Sequence, residues 1–226
     1  MSEDSDPEAR HSQAEDAELI KDPDQLAEAE ARNGLRQYDA VEGLIADWIQ
    51  PERTFRLRVS MILTLHRIAL EGISLYAGNF RPGKVKIGKS KHIPPEAHLV
   101  PESVEHMCDY INENWGTKTA IHLAAYAMWQ LNWIHPFSDG NGRTSRAISY
   151  LVLCVKLGHP LPGKNTVPEQ ISNNKAPYYE ALEKADDILK ETGKVNVSAL
   201  EDLLEAHLAK QLAEVHRSAT GSKLEA

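Results

Sequence analysis

The chain has 226 residues, 42% of them hydrophobic, with two cysteines and a formal charge of −8. That is the composition of an ordinary globular protein with one well-buried core. It excludes a disulfide framework, and with no run of roughly 18 apolar residues and acids rather than bases after Met1 it offers neither a membrane span nor a secretory signal, so a soluble, cytoplasmic protein with reduced thiols is expected.

The charge is local. Residues 1–34 hold eleven acids and three bases, which accounts for −8, so the remaining chain balances to about zero and carries no electrostatic footprint for nucleic acid. Poor in aromatic and β-branched residues, the acidic head reads as a disordered tail. From Leu35 the apolar spacing turns helical through Val41, Leu44, Ile45 and Trp48, and Pro51 ends that element. A second helix is expected over 52–71, from Phe55 to Leu70, with Gly72 to close it.

The stretch 78–98 is rich in Gly, Pro and Lys, with one short alternation at Val85 and Ile87, and reads as a surface loop or small β-hairpin. Helices resume over 102–115, opened by Pro101, and over 118–134. The segment AISYLVLCVKLG after Asp139 is apolar on every face and is expected to be a central helix, stopped by Gly158 and Pro160. Two amphipathic helices follow, one over 177–192 and one after an apparent capping box at Ser198 and Glu201. The architecture is an all-α bundle with one projecting hairpin.

Two copies of GxxxxGK, Gly78 to Lys84 and Gly158 to Lys164, are followed by Val85 and Asn165 instead of Ser or Thr, and neither joins a strand to a helix. They are chance matches to a phosphate loop. His66, His106, His122, His207 and His216 show no paired metal-ligand spacing and read as core or surface residues, as Trp115, Trp129 and Trp133 read as core and Cys108 and Cys154 as inert thiols.

The informative segment is HPFSDGNGRTSR, His135 to Arg146, between the helix ending near Ile134 and the central one. Gly140, Asn141 and Gly142 can turn freely and present backbone N–H groups at the positive end of a helix dipole, a ready anion site. Arg143 and Arg146, three apart, can fork around phosphate oxygens. Asp139 is placed to cap the helix or to hold a divalent cation, and His135 is suited to take a proton from an incoming hydroxyl. Any one of these residues alone is better explained by turns, caps and packing; together they place a base, a metal ligand, an amide nest and two arginines within twelve residues.

This segment resembles the signature HxFx(D/E)GNGRxxR of the Fic (Fido) family at every specified position. The resemblance runs from about Leu65 to Leu182: Tyr76 to Arg81 looks like the lead-in to the family's flap hairpin, Ile87-Gly88 through His92 to Pro95 like the flap, and Tyr178 to Leu182 like a later nucleotide-side helix. It implies a Fic-type helical bundle with a short β-hairpin flap, divided into an acidic tail (1–34), N-terminal helices packed on the core (35–64), a catalytic core (65–192) and a C-terminal helix and tail (193–226). It further implies a protein adenylyltransferase moving AMP from ATP to a Ser, Thr or Tyr hydroxyl, with His135 as base and Asp139 as magnesium ligand. Nucleotide contacts would come from Asp139, Gly140, Asn141, Gly142, Arg143, Thr144, Ser145 and Arg146, joined by flap residues Lys91 and His92 and by Tyr178 and Tyr179. Phe137 would anchor the loop.

Other readings on the same scaffold are transfer of UMP, phosphocholine or phosphate, and a non-catalytic interaction protein. The phosphate-transferring branch replaces the second motif glycine by lysine, so Gly142 favours AMP, and an intact His135 argues against mere binding. The target protein is expected to dock on the flap hairpin as an added strand. Many relatives restrain themselves through an inhibitory pattern (S/T)xxxE(G/N) aimed at the second motif arginine. Tyr38 to Gly43 and Arg67 to Gly72 approach it with Glu42 and Glu71 but lack the Ser or Thr. Self-inhibition through Arg146 is therefore expected to be weak, with restraint left to a separate partner or to homo-oligomerisation.

Overall fold

Residues 12–13, 18–88 and 90–221 are described in the computed structural model of the chain. The flap expectation at Lys89, and the tail expectation at residues 1–11, 14–17 and 222–226, lie outside them.

The first helix, α1 (Pro23–Trp48), begins inside the segment expected to be a disordered tail. The side chain of Asp22 caps it by accepting from the Gln25 N–H at 2.9 Å, and Pro23 takes a tolerated first-turn position. Low hydrophobicity misled the sequence reading here, because the Ala- and Glu-rich run 26–32 has high helix propensity and needs only a narrow buried stripe. That stripe is Ala29, Asn33, Gln37, Val41 and Ile45. Its polar members are anchored: Asn33 Nδ2 donates to Glu71 O at 2.8 Å and Gln37 Nε2 to Leu65 O at 3.0 Å, both on the facing helix or its end.

Helix α2 (Val59–Leu70) is shorter at its start than expected. Residues 53–58 are irregular, and the Asn112 amide clamps both backbone groups of Leu57, at 2.7 and 2.9 Å, as a neighbouring strand would. After a short 3-10 turn at Ala97–Leu99 come α3 (Val100–Glu113), α4 (Ala120–Ile134, capped by Thr119) and α5 (Asn141–Leu157). Helix α5 is the central element foreseen for it, packed against α1, α2, α4 and α6. Ile148, Leu151, Val152 and Leu153 are all at or below 1% exposure, and each such side chain contributes roughly 1.5–3 kcal/mol by leaving water.

Helix α6 (Val167–Asn173) was not foreseen, although Thr166 caps it through the Glu169 N–H, the Thr-x-x-Glu spacing of a capping box. Helices α7 (Ala176–Thr192) and α8 (Ser198–Thr220) complete the bundle. At α8 the expected box is absent: Ser198 lies inside the helix, its N–H bonds Asn196 Oδ1 at 2.9 Å, and Glu201 binds His122 Nδ1 instead.

The expected hairpin also differs. Two strands form one antiparallel pair, but β1 is Ser12–Gln13 and β2 is Lys86–Ile87, in register Ser12 to Ile87 and Gln13 to Lys86. The returning limb of the flap has no strand ladder. It lies beside the outgoing limb through Lys84 Nζ to Glu96 Oε1 at 3.2 Å and through Arg81, which donates to both Gly83 O and Pro95 O. Both cysteines are buried, and burial pushes the Cys108 thiol to about 12 and the Cys154 thiol to about 11, so both are inert.

Candidate active site

His135 terminates α4 in the left-handed region, φ 50°, and is the one described non-glycine residue with positive φ. Its N–H still closes on Leu131 O at 3.0 Å, so the residue is at once the helix cap and the point where the chain turns into the loop. Such a conformation persists only when its surroundings hold it. Here Arg81, 3% exposed, donates from Nε to His135 O at 2.8 Å, and the Arg81 N–H takes Pro136 O at 2.9 Å. Burial lowers the pKa of this guanidinium, whose remaining donors bind carbonyls of the flap.

The loop is clamped from below. Asn141 at the first position of α5 accepts the Phe137 N–H at 2.9 Å and donates to Phe137 O at 2.8 Å. Phe137 is fully buried, as an anchor should be, and stacks on His66 with centroids 3.6 Å apart and planes 6° from parallel. His66 Nδ1 accepts the Gly78 N–H at 2.9 Å, which leaves Nε2–H to donate to Asp139 O at 3.0 Å. Burial pushes the His66 pKa down to about 4, so the ring is neutral near pH 7. Sequence reading placed His66 in the core or on the surface; the structure makes it a neutral core strut directly under the motif.

Gly140 is the N-cap of α5 with φ 75°, and a Cβ there would lie 2.4 Å from Leu70 Cδ2. Only glycine lets the loop approach α2 so closely. Asp139 therefore does not cap the helix. Its carboxylate is 53% exposed and accepts Arg143 Nη2 at 2.6 Å, while Arg143 Nη1 reaches Glu30 Oε1 of α1 at 2.9 Å. Arg146 behaves differently: it is half-buried, desolvation lowers its pKa, and it makes no ion pair or hydrogen bond with another described residue. Its Nη1 would stand 3.2 Å from a Cβ placed on Gly142. The first-turn N–H groups of α5 have no intrahelical acceptor and lie beside this cation.

Thr144 and Ser145 present no side-chain surface, both being at 0% exposure. Ser145 Oγ instead meets Tyr178 OH at 3.2 Å, and Tyr178 OH accepts Asn132 Nδ2 at 2.7 Å, so one phenol ties α4, α5 and α7 together. Tyr178 is 1% exposed; Tyr179, half-buried, lies 5.5 Å from it ring to ring.

One cavity lies between the flap, α4 and α7, and a second is lined by Arg143 and Arg146 of the motif. The first, of about 530 Å³, is walled by Lys91, His92 and Ile93 of the flap, Trp133 of α4 and Asp187 and Lys190 of α7; His92 Nε2 is fixed 2.7 Å from Trp133 O. The other, of about 520 Å³, lies between α1, α5 and α6 and is bounded by Gly34, Tyr38, Arg143, Arg146, Lys164 and Thr166. Among the described residues no group of three or more His, Cys, Asp or Glu side chains converges as a metal cage. A single half-exposed carboxylate at an open helix N-terminus suits instead a magnesium ion that keeps several waters and is shared with phosphates. No helix among the described residues is long and apolar enough to cross a membrane.

The Fic/DOC family model matches residues 56–153, the span that contains His66, the flap and the whole clamped loop. Residues 56–153 are a Fic/DOC domain. The chain is also similar to curated relatives named "Protein adenylyltransferase Fic": 31% identity over 133 residues with the one from Drosophila willistoni, covering 58% of this chain and 25% of that protein. For the relative of that name from Drosophila virilis the figures are 28% over 196 residues, 71% of this chain and 38% of that protein. The chain thus spans between a quarter and two fifths of these relatives. A Fic domain containing signaling protein from Bacteroides thetaiotaomicron shares the fold, with TM-score 0.66 and 22% identity over 87% of this chain and 76% of that one.

Arg81 was the site residue that sequence reading missed, having been placed in the flap lead-in without a role. Glu30 was missed as well, lost in the supposed tail. Neither had a signal beyond its residue type, since both act through partners more than 50 positions away.

Proposed function

We propose that the chain is a protein adenylyltransferase: it holds ATP with its phosphates at the N-terminus of α5 and transfers AMP to a hydroxyl of a target protein docked on the flap. The observation that carries this reading is Arg146, a half-buried guanidinium that lines the cavity between α1, α5 and α6 with no counter-ion among the described residues. A partly desolvated charge without a partner favours an anion beside it, and an incoming polyphosphate supplies one. The names of the relatives support the same reading.

The hydroxyl oxygen attacks the α-phosphorus, the bond from that phosphorus to the bridging β-oxygen breaks, and pyrophosphate leaves toward Arg143 and Arg146. His135 takes the hydroxyl proton. With Nδ1–H directed at Asn132 O, 3.3 Å away, the lone pair resides on Nε2. Asp139 would hold magnesium, which supplies charge neutralisation at the phosphates. The chain's own part is placement: Arg81 and Asn141 fix the backbone on which base and amide nest sit.

The test is incubation with labelled ATP, UTP and GTP and a cell lysate. Label is expected on protein from ATP, and none from His135→Ala, which should still bind ATP nearly as well. His135→Asn, which tolerates the left-handed backbone, controls for strain. Wild-type labelling by either variant would refute the role of the base.

A further inference from the structure

In a molecule that is otherwise helical, the one β-ladder among the described residues joins the N-terminal arm to the flap. Ser12–Gln13 pairs antiparallel with Lys86–Ile87. The arm touches the core again farther along, where Glu18 bridges Ser74 and the Leu19 N–H takes Ile73 O at 2.8 Å, and from there it runs directly into α1 at Pro23.

A strand has two edges. On the flap the turn closed by Ser90 N–H to Ile87 O sends the chain back, and Arg81 and Lys84 hold the return limb at Pro95 and Glu96 alongside the outgoing one. One edge of Lys86–Ile87 is held by β1, so an incoming chain that adds there as a strand must take the place of β1. Ile87 and Val85 are buried while Lys86 is exposed, so the flap strand is already fixed in register and ready to pair.

We propose that Ser12–Gln13 is a guard strand: it covers the docking edge of the flap, and a partner segment binds there only by displacing it. This deepens the reading that targets dock on the flap and rests on it. Two paired residues supply few hydrogen bonds, so the guard can leave. Its tether to α1 keeps its effective concentration on the order of millimolar, so weakly pairing chains are excluded and only a strand that also gains contacts elsewhere succeeds.

The experiment uses the full chain and a full-length Ser12→Pro/Gln13→Pro variant, whose prolines delete the arm's N–H donors without touching the helical core. Backbone hydrogen exchange at residues 86–87 is expected to be roughly tenfold faster in the variant at unchanged helical circular dichroism. A dye-labelled peptide with the sequence of residues 8–18 is expected to bind the variant and to bind the wild-type chain roughly tenfold more weakly. Equal exchange in the two chains overturns the guard, and so does equal binding of the peptide to both or binding to neither. Labelling of lysate proteins from ATP should rise several-fold in the variant. If neither chain transfers label while exchange and peptide binding behave as expected, the transferase reading falls and the guard stands.

Discussion

Glu30 Oε1 stands 2.9 Å from Arg143 Nη1, while Asp139 Oδ2 takes the other terminal nitrogen, Nη2, at 2.6 Å. An acid from α1 thus already occupies one of the two arginines expected to meet phosphate, and the arginine it occupies is the first, not Arg146. The two glutamates of the near-match patterns are elsewhere: Glu71 is paired with Arg36 at 2.6 Å, and Glu42 forms no ion pair among the described residues. A half-exposed pair of this kind is worth up to about 1 kcal/mol, so Glu30→Gln should tighten ATP binding by roughly two- to fivefold in calorimetry. Weaker binding would make Glu30 a support of the site, not a competitor. Glu42→Gly and Glu71→Gly should each leave self-modification within a few-fold of wild type, while a jump of roughly a hundredfold would reveal restraint of about 2.7 kcal/mol through one of them.

Asp139→Ala should remove magnesium-dependent transfer, and chelator should do the same to the wild-type chain. Because Asp139 also steadies Arg143, Asp139→Asn is the sharper variant: it keeps a hydrogen-bond acceptor for the guanidinium while discarding the charge. Full activity of either variant, or of wild type in excess chelator, removes Asp139 from the ligand role.

Gly140→Ala combines a positive φ with a Cβ only 2.4 Å from Leu70 Cδ2. The expected loss is about 2–4 kcal/mol in urea unfolding, the sum of a left-handed alanine and local overpacking. Gly140→Ala/Leu70→Ala relieves the clash, so the double variant should lose less than the two single losses added together. Simple additivity would show that the contact is not the cause.

His66 gives a pH dependence of definite sign. Its folded pKa, about 4, lies below the ordinary 6.5, so the folded state favours the neutral ring. Its contribution is present in full above pH 6.5 and declines as the pH falls to about 4, amounting to about 3 kcal/mol over that window for a group this buried. Urea unfolding at pH 7, 5.5 and 4 should show a decline that His66→Phe, which keeps a ring against Phe137, reduces by a comparable amount. An equal decline in both chains would assign it to other groups.

The motif and the two helices around it were legible because their information is local: glycines where the backbone must turn, an apolar run too dense for any surface helix, a histidine at the join. The start of α1 was not legible by composition, since a helix that buries Ala29, Asn33 and Gln37 looks hydrophilic throughout. Helix α6 left a local signal at Thr166 and Glu169 that its brevity concealed, while Ser198 and Glu201 gave the same signal falsely because Glu201 is taken by His122. The roles of Arg81, His66 and Tyr178 depend on partners distant in sequence. Residue type alone cannot reveal them.

The Arg81 side chain holds three carbonyls at once, those of His135, Gly83 and Pro95. One rigid, planar cation therefore yokes the backbone of His135 to both limbs of the flap, and the two cannot be reoriented independently. A segment that tugs on the flap as it binds tugs on His135 through a single guanidinium. On the proposed reading, recognition and aim are one mechanical event, and a poorly seated chain would be met by a misdirected imidazole instead of a merely slower one.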